Sequence, residues 1–297
     1  MDDLSAGILQ ATTVGASCPR KKWPLDAGGC MKSATPRKKI GLIGFGQIGS
    51  SLYRHILEDP NRLFEVVFVH EINPEAASKI PENLRLDHFQ GFERLSPDLV
   101  VEAAHPEAVR QFGREVLKKT NMMIMSVSSL YDKQLEDELL DACKRNGTIL
   151  YIPHGATLGL DGLRDGLSIW EEVIITMRKN PLNINFDRAP HLKPDSEKTV
   201  VVYDGPTRGI LPLFPKNVNS HATLALATMG LDSTRSILIS DPGINDSVIE
   251  ITARGAGTTI QISRRNPIKG VTGKLTLLSA FESIKNILKT GDMLKIC

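Results

Sequence analysis

"KKIGLIGFGQIGSSLYRHIL", residues 38–57, sets three glycines, Gly44, Gly46 and Gly49, between a short apolar run and an amphipathic stretch. The G-x-G-x-x-G spacing alone is shared by many tight turns, so its context decides. "KIGLIG" (39–44) reads as a buried strand, "QIGSSLYRHILED" as a helix, and "EVVFVHE" (65–71) as a second strand ending in Glu71, about 20 residues past the last glycine. Each part answers a need of a bound dinucleotide. Gly44 permits the turn, Gly46 lets backbone approach a pyrophosphate, Gly49 allows close helix packing, and the helix N-terminus offers free N–H groups to phosphate. Glu71 suits the two ribose hydroxyls, and Ile72 and Asn73 after it supply no arginine for a 2′-phosphate, which favours NAD over NADP. Phe45, Gln47 and Ile48, inside the loop, join the three glycines and Glu71 as expected cofactor contacts.

Outward from this unit the alternation continues. "DLVVEAA" (98–104), "MMIMSVS" (122–128) and "TILYIP" (148–153) read as strands buried on both faces, separated by the helical stretches "PEAVRQFGREVLKK" and "KQLEDELLDACKRNG". Pro106 takes the favoured first helical position and Gly147 stops the second helix. The pattern predicts an α/β Rossmann domain, a doubly wound parallel sheet over residues 37–154. After residue 155 five half-exposed strands are expected, at 171–179, 198–205, 235–240, 247–255 and 258–265, in an open and largely antiparallel sheet with one covered face. This second, α+β unit spans 155–272 and would serve substrate binding and dimerisation. A last helix within 273–297 carries Leu277, Leu278, Phe281, Ile284 and Leu288 at helical spacing and would return to the first domain. "NPLNINFDRAPHLKPDSE" (180–197) reads as a mobile surface loop.

Composition limits the partners. The 297 residues hold 36 basic and 34 acidic side chains, a formal net charge of +2, too small a field to argue for nucleic acid or an anionic membrane. A small-molecule substrate is the expectation. Cys18, Cys30, Cys143 and Cys297 show no metal-like pairing and read as reduced thiols of a cytoplasmic protein, with no metal site. No apolar run approaches the ~20 residues of a membrane span. Residues 1–36 lack hydrophobic periodicity and read as a disordered extension. A transit peptide is the alternative, opposed by Asp2 and Asp3.

Taken in order, "LIGFGQIG", "DLVVEAAHPEAV", "SVSSLYD", "PHGATLGLDGL", "LFPKNVNSHATLALA" and "ISDPGIND" resemble the L-aspartate dehydrogenase family, especially its animal "aspartate dehydrogenase domain-containing" members. The glycine motif is common to many folds; "FPKNVN" and "GATLGLD" are the specific segments. The resemblance implies a Rossmann domain, a substrate domain with an open mixed sheet, a homodimer, and hydride transfer between L-aspartate, or a related amino or imino acid, and NAD or NADP. It also implies a role in NAD biosynthesis, where iminosuccinate is the useful product. On the cofactor side it places Ser129 and Asn219 against the dinucleotide, with Ala104 and His105 at the carboxyl edge of the sheet. Asn219 also reads as the N-cap of the helix that follows it.

The catalytic side departs from the family. A histidine there follows the "DP" turn by about eight residues and is taken as catalytic, whereas "DPGINDSVIEI" sets Ile249 at that position. His221, close to Asn219, and His154, beyond the fifth strand, are the candidate replacements, each with the alternative of donating only to a backbone carbonyl. Lys216 is the candidate for a substrate carboxylate, or else a solvated lysine. Three functions therefore stand: an amino-acid dehydrogenase with aspartate as first substrate, a dinucleotide-binding protein without dehydrogenase activity, and an imine reductase that takes its proton from water or a hydroxyl.

Overall fold

The computed structural model describes residues 36–194, 198–267 and 273–288. The expected N-terminal extension, Cys18, Cys30 and Cys297 lie outside the described residues. Cys143 is a free thiol.

Five parallel strands, β1 (Lys38–Ile43), β2 (Phe64–His70), β3 (Leu99–Glu102), β4 (Asn121–Ile124) and β5 (Leu150–Tyr151), are ordered β2-β1-β3-β4-β5. Alternate residues of these strands feed two apolar layers. Leu99, Val101 and Met123 pack with Leu52 and Ile56 of α1 (Gln47–Glu58). Val100, Met122 and Ile124 pack with Val109, Phe112 and Val116 of α2 (Pro106–Leu117) and Leu135 and Leu139 of α3 (Lys133–Asn146). Burial on both faces explains why the strands read as unbroken apolar runs. Three of them are shorter than expected: β3 covers only Leu99–Glu102, and β4 and β5 are cut back as well. β4 stops at Ile124 and the chain turns through a 3₁₀ helix, Val127–Tyr131, while β5 is a two-residue edge strand with Ile149 exposed beside it.

The second sheet contains β6 (Glu172–Lys179), β7 (Val200–Pro206), β8 (Arg235–Ser240), β9 (Asp246–Gly255) and β10 (Thr258–Pro267), in the order β10-β9-β6-β8-β7. It is largely antiparallel, as expected, and mixed through one pair, because β6 and β8 run parallel. α4 (Asn219–Ala227) covers one face, with Ala222, Leu224 and Ala225 buried against Val173, Ile175, Leu238 and Ile251. Outward residues Ile174, Thr176, Glu250, Thr252, Gln261 and Ser263 line an open groove on the other face.

The stretch expected to be a mobile surface loop is instead partly core. Ile184, Phe186 and Ala189 are buried in the second apolar cluster, Phe186 edge-on to Phe214, and 3₁₀ turns form at Pro181–Asn183 and Pro190–Leu192. The prolines punctuate it, but the apolar residues between them hold it down; residues 195–197 lie outside the described set. α5 (Lys274–Leu288) packs on α1: Phe281 stacks on His55 at 5.5 Å between ring centroids and meets Phe64 edge-on.

Candidate active site

The glycine loop leaves β1 and opens α1. Gly44 has φ +93° and its N–H donates to the His70 carbonyl at 2.8 Å, while a Cβ there would press on Ala104. Only glycine adopts this backbone without strain. A Cβ at Gly49 would run into the Gly44 carbonyl, so α1 lies close on the loop. Gly46 differs, since a Cβ there meets open space. That space is a cleft lined by Gly46, Gln47, Ile48, Ala104, His105 and Asn219, and α1 begins at Gly46 without a side-chain cap or an acid in its first turn. Uncapped N–H groups facing open space fit a pyrophosphate.

Glu71 closes the motif from the second strand. It accepts hydrogen bonds from Phe45 N at 2.6 Å and Asn73 N at 2.8 Å, one on each carboxylate oxygen. Each oxygen keeps a lone pair for a ribose hydroxyl. Phe45 thus meets Glu71 through its backbone, and its ring is buried in the core. His105 caps α2 by accepting from Glu107 N at 3.4 Å, and burial with the Lys216 and Arg188 charges holds it below its ordinary pKa.

Glu102, at the end of β3, escaped the sequence reading because it lies in an apolar run. It is fully buried and accepts from Ala104 N, Ser126 N and Ser126 Oγ at 2.8, 3.0 and 2.9 Å. Burial pushes its pKa up to about 6 against the pull of those donors. It ties together the two chain segments that form the floor of the cleft.

Asn219 is not a helix cap. Val218 holds that position, and Asn219 Oδ1 accepts from Ser128 N at 2.9 Å, fastening the start of α4 to the 3₁₀ turn after β4. Ser129 is buried, its Oγ has no partner, and it is not part of the cleft wall.

A second cavity adjoins the cleft, sharing Ile48, Met125, Lys216 and Asn219 with it. Its walls include Lys179, Lys216 and Arg264, together with Ser220, Thr223, Ser247 and Ile249, and no carboxylate among the described residues. Arg264 donates to the Ala156 carbonyl at 2.9 Å and to Asn266 Oδ1, leaving Nε without a partner. Lys179 is 2% exposed and has no acidic partner among the described residues; burial, reinforced by the Arg264 charge, pulls its pKa down to about 8. A site with three cations and no acid is built for an anion.

Neither replacement histidine faces this cavity. His154 is exposed and outside both walls. His221 is completely buried, burial and the Lys179 charge push its pKa down to about 3, and it is behind the cavity wall rather than in it. Its tautomer follows from its neighbours. Thr207 Oγ1 donates to the Thr234 carbonyl, so Ser236 Oγ donates to Thr207, and His221 Nδ1 must donate to Ser236 at 2.9 Å. Nε2 is then a buried acceptor without a partner. The residue predicted for carboxylate binding, Lys216, does line both cavities.

Lys179 and Arg264 were missed, although a signal for them exists. In "EEVIITMRK" the inward positions are Val173, Ile175 and Met177, and Lys179 continues that parity; Arg264 follows Ile260 and Ile262 in the same way. A charge on the buried parity of a strand marks a site.

Residues 163–287 match the family described as aspartate dehydrogenase, C-terminal, and residues 44–153 match the NAD-binding domain of homoserine dehydrogenase. The aspartate dehydrogenase domain-containing protein of Xenopus tropicalis is 31% identical over 279 residues, 88% of this chain and 98% of that protein. L-aspartate dehydrogenase of Nitrosopumilus maritimus is 30% identical over 263 residues, 84% and 96% of the two chains. The crystal structure of aspartate dehydrogenase from Thermotoga maritima aligns with a TM-score of 0.69 at 25% identity, covering 87% of this chain and 100% of that one. With these relatives matched along nearly their whole length, and a dinucleotide cleft opening into a cationic pocket, the chain belongs to the aspartate dehydrogenase family.

Proposed function

We propose that the protein is an NAD(P)-dependent dehydrogenase that oxidises L-aspartate, or a closely related amino dicarboxylate, at the carbon bearing the amine. The observation that carries this reading is the pocket of Lys179, Lys216 and Arg264, free of acids among the described residues and continuous with the dinucleotide cleft. Two substrate carboxylates need such cations. Lys216 and Arg264 are assigned to them, Arg264 for its permanent charge and fixed fork of donors.

The dinucleotide, when bound, supplies a nicotinamide that accepts the substrate hydride. Gly46, Gln47, Ile48 and Gly49 hold its phosphates through the uncapped helix N-terminus, Gly44 and Phe45 shape the turn with their N–H groups engaged by the His70 carbonyl and Glu71, and Glu71 takes the adenosine ribose. Ala104, His105 and Asn219 border its path toward the pocket. Residues 37–154 serve as the dinucleotide domain and 155–272 as the substrate domain. A second copy of the chain covers the open face of the second sheet, and the free Cys143 thiol supports a cytoplasmic setting. The competing reading, dinucleotide binding without turnover, is favoured by Ile249 alone.

The test is reduction of NAD or NADP by the purified chain with L-aspartate, followed by nicotinamide absorbance. We expect turnover with aspartate and none with succinate, which lacks the amine. Gly46→Val should abolish NADH binding by calorimetry in a protein whose circular dichroism is unchanged, because the added side chain fills the phosphate space. Binding of NADH by the parent without oxidation of aspartate would select the binding-only reading.

A further inference from the structure

The open chemical question in the pocket is where the substrate proton goes. An α-ammonium has no lone pair with which to form a C=N bond, so a group in the cavity must first take one proton from it. Ile249 lines the cavity at the position of the family's histidine and has no basic atom. We propose that Lys179 is the catalytic residue that accepts this proton, an assignment that rests on the amino-acid dehydrogenase reading.

The sheet register supplies the placement. Arg264, Ile249, Met177 and Leu238 form one row across β10, β9, β6 and β8. Lys179 lies two residues beyond Met177 on the same face, diagonal to Ile249 and paired with Ser240. Diagonal neighbours across antiparallel strands are about 7–8 Å apart, within reach of long side chains. Lys179 therefore reaches the space in front of Ile249 from the adjoining row, and it lines the same cavity.

The other cations do not suit the task. Arg264 cannot lose its proton. Lys216 is exposed and is assigned to a substrate carboxylate. His221 points no atom into the cavity and is held neutral by burial. The charged and titratable groups around Lys179 are thus Arg264 from β10, His221 from α4 and Lys216 from the segment before α4. Asp241 is the neighbouring acid, joined to Lys179 through its backbone, but its carboxylate is turned to Arg178 at 3.0 Å, and the cavity wall that Lys179 lines has no carboxylate among the described residues. The step breaks one N–H bond of the substrate ammonium and makes one on Nζ, and the electron pair stays on the substrate nitrogen. Nothing is oxidised or reduced in it, and the proton later leaves to solvent.

The experiment compares the full-length parent with Lys179→Arg, which keeps the charge and cannot act as a base. Lysine side chains labelled with ¹³C are titrated by NMR, and Lys179 is identified by the resonance missing from the variant. It should titrate near 8, apart from the ordinary lysines at about 10. Titration with the ordinary lysines overturns the proposal whatever the activity. In kinetics, Lys179→Arg should lose ~10² to 10⁴-fold in kcat/KM for aspartate and the rise of that parameter with pH through about 8, while succinate affinity by calorimetry stays within about threefold. A parent and variant that oxidise aspartate equally well, or a variant whose succinate affinity falls as far as its rate, overturn the proton-transfer role and leave the dehydrogenase reading standing. A parent that oxidises aspartate with neither dinucleotide overturns both.

Discussion

Ile249 and Lys179 show how a single position alters a site without altering its frame. Ile249 is 3% exposed, and its backbone keeps its place in the ladder opposite Met177 and Arg264. Only the side chain has lost its chemistry. If Lys179 does the proton transfer that an imidazole at 249 does elsewhere, the two groups are interchangeable in part. The double variant Lys179→Arg, Ile249→His should then regain at least about tenfold of the kcat/KM lost in Lys179→Arg, since a positioned imidazole contributes ~10² to 10⁴-fold. Steady-state rates of the single and double variants check this; no recovery would show that position 249 no longer points at the substrate nitrogen.

At the scale of elements, the cleft depends on Glu102 holding the ends of β3 and β4 together through Ala104 and Ser126. The pH dependence of this tie has a definite sign. The folded-state pKa, about 6, is above the ordinary 4.5, so the native state binds the proton more tightly than the unfolded chain. The stabilising contribution is present below about 4.5 and is lost as pH rises through about 6. Relative to Glu102→Gln, which does not titrate, the parent should lose about 2 kcal/mol between those limits, at 1.36 kcal/mol per unit. Urea unfolding of both proteins at about pH 4.5, 6 and 7.5 measures it. A constant difference across the series would mean that Glu102 titrates at its ordinary value.

Among the described residues, one face of the second sheet is left open. Ile174 sits there on the central strand β6, between ion pairs such as Arg254 with Glu172 at 2.8 Å. A second copy is the proposed cover, so the parent should run as a dimer by light scattering and Ile174→Asp as a monomer, with NADH affinity unchanged because the cleft is on other elements. A parent that already runs as a monomer would remove the homodimer from the proposal. Among the described residues no helix is long and apolar enough to cross a membrane, and no cluster of three or more His, Cys, Asp or Glu is placed to hold a metal ion.

The dinucleotide half was legible in the residue order because its signals are local. Gly44, Gly46 and Gly49 act through backbone geometry within one turn, and the period of the apolar runs reports burial directly. The pocket was not legible in the same way. Lys179 and Arg264 are separated by 85 positions, and only the pairing of β6 with β9, and β9 with β10, puts their side chains on one face around Ile249. His221 looked catalytic for its closeness in sequence to Asn219, but helical residues two positions apart point in different directions, and the helix turned one into the cleft edge and the other into the core. The loop at 180–194 was misjudged for a related reason. Its prolines are visible one by one, whereas the hydrophobic wall that receives Ile184, Phe186 and Ala189 exists only once β6, α4 and Phe214 have come together. Local spacing thus determined the cofactor loop and the element order. Strand register and burial, which depend on residues far apart in the chain, decided which charged groups share the pocket and which of them is driven toward its neutral form.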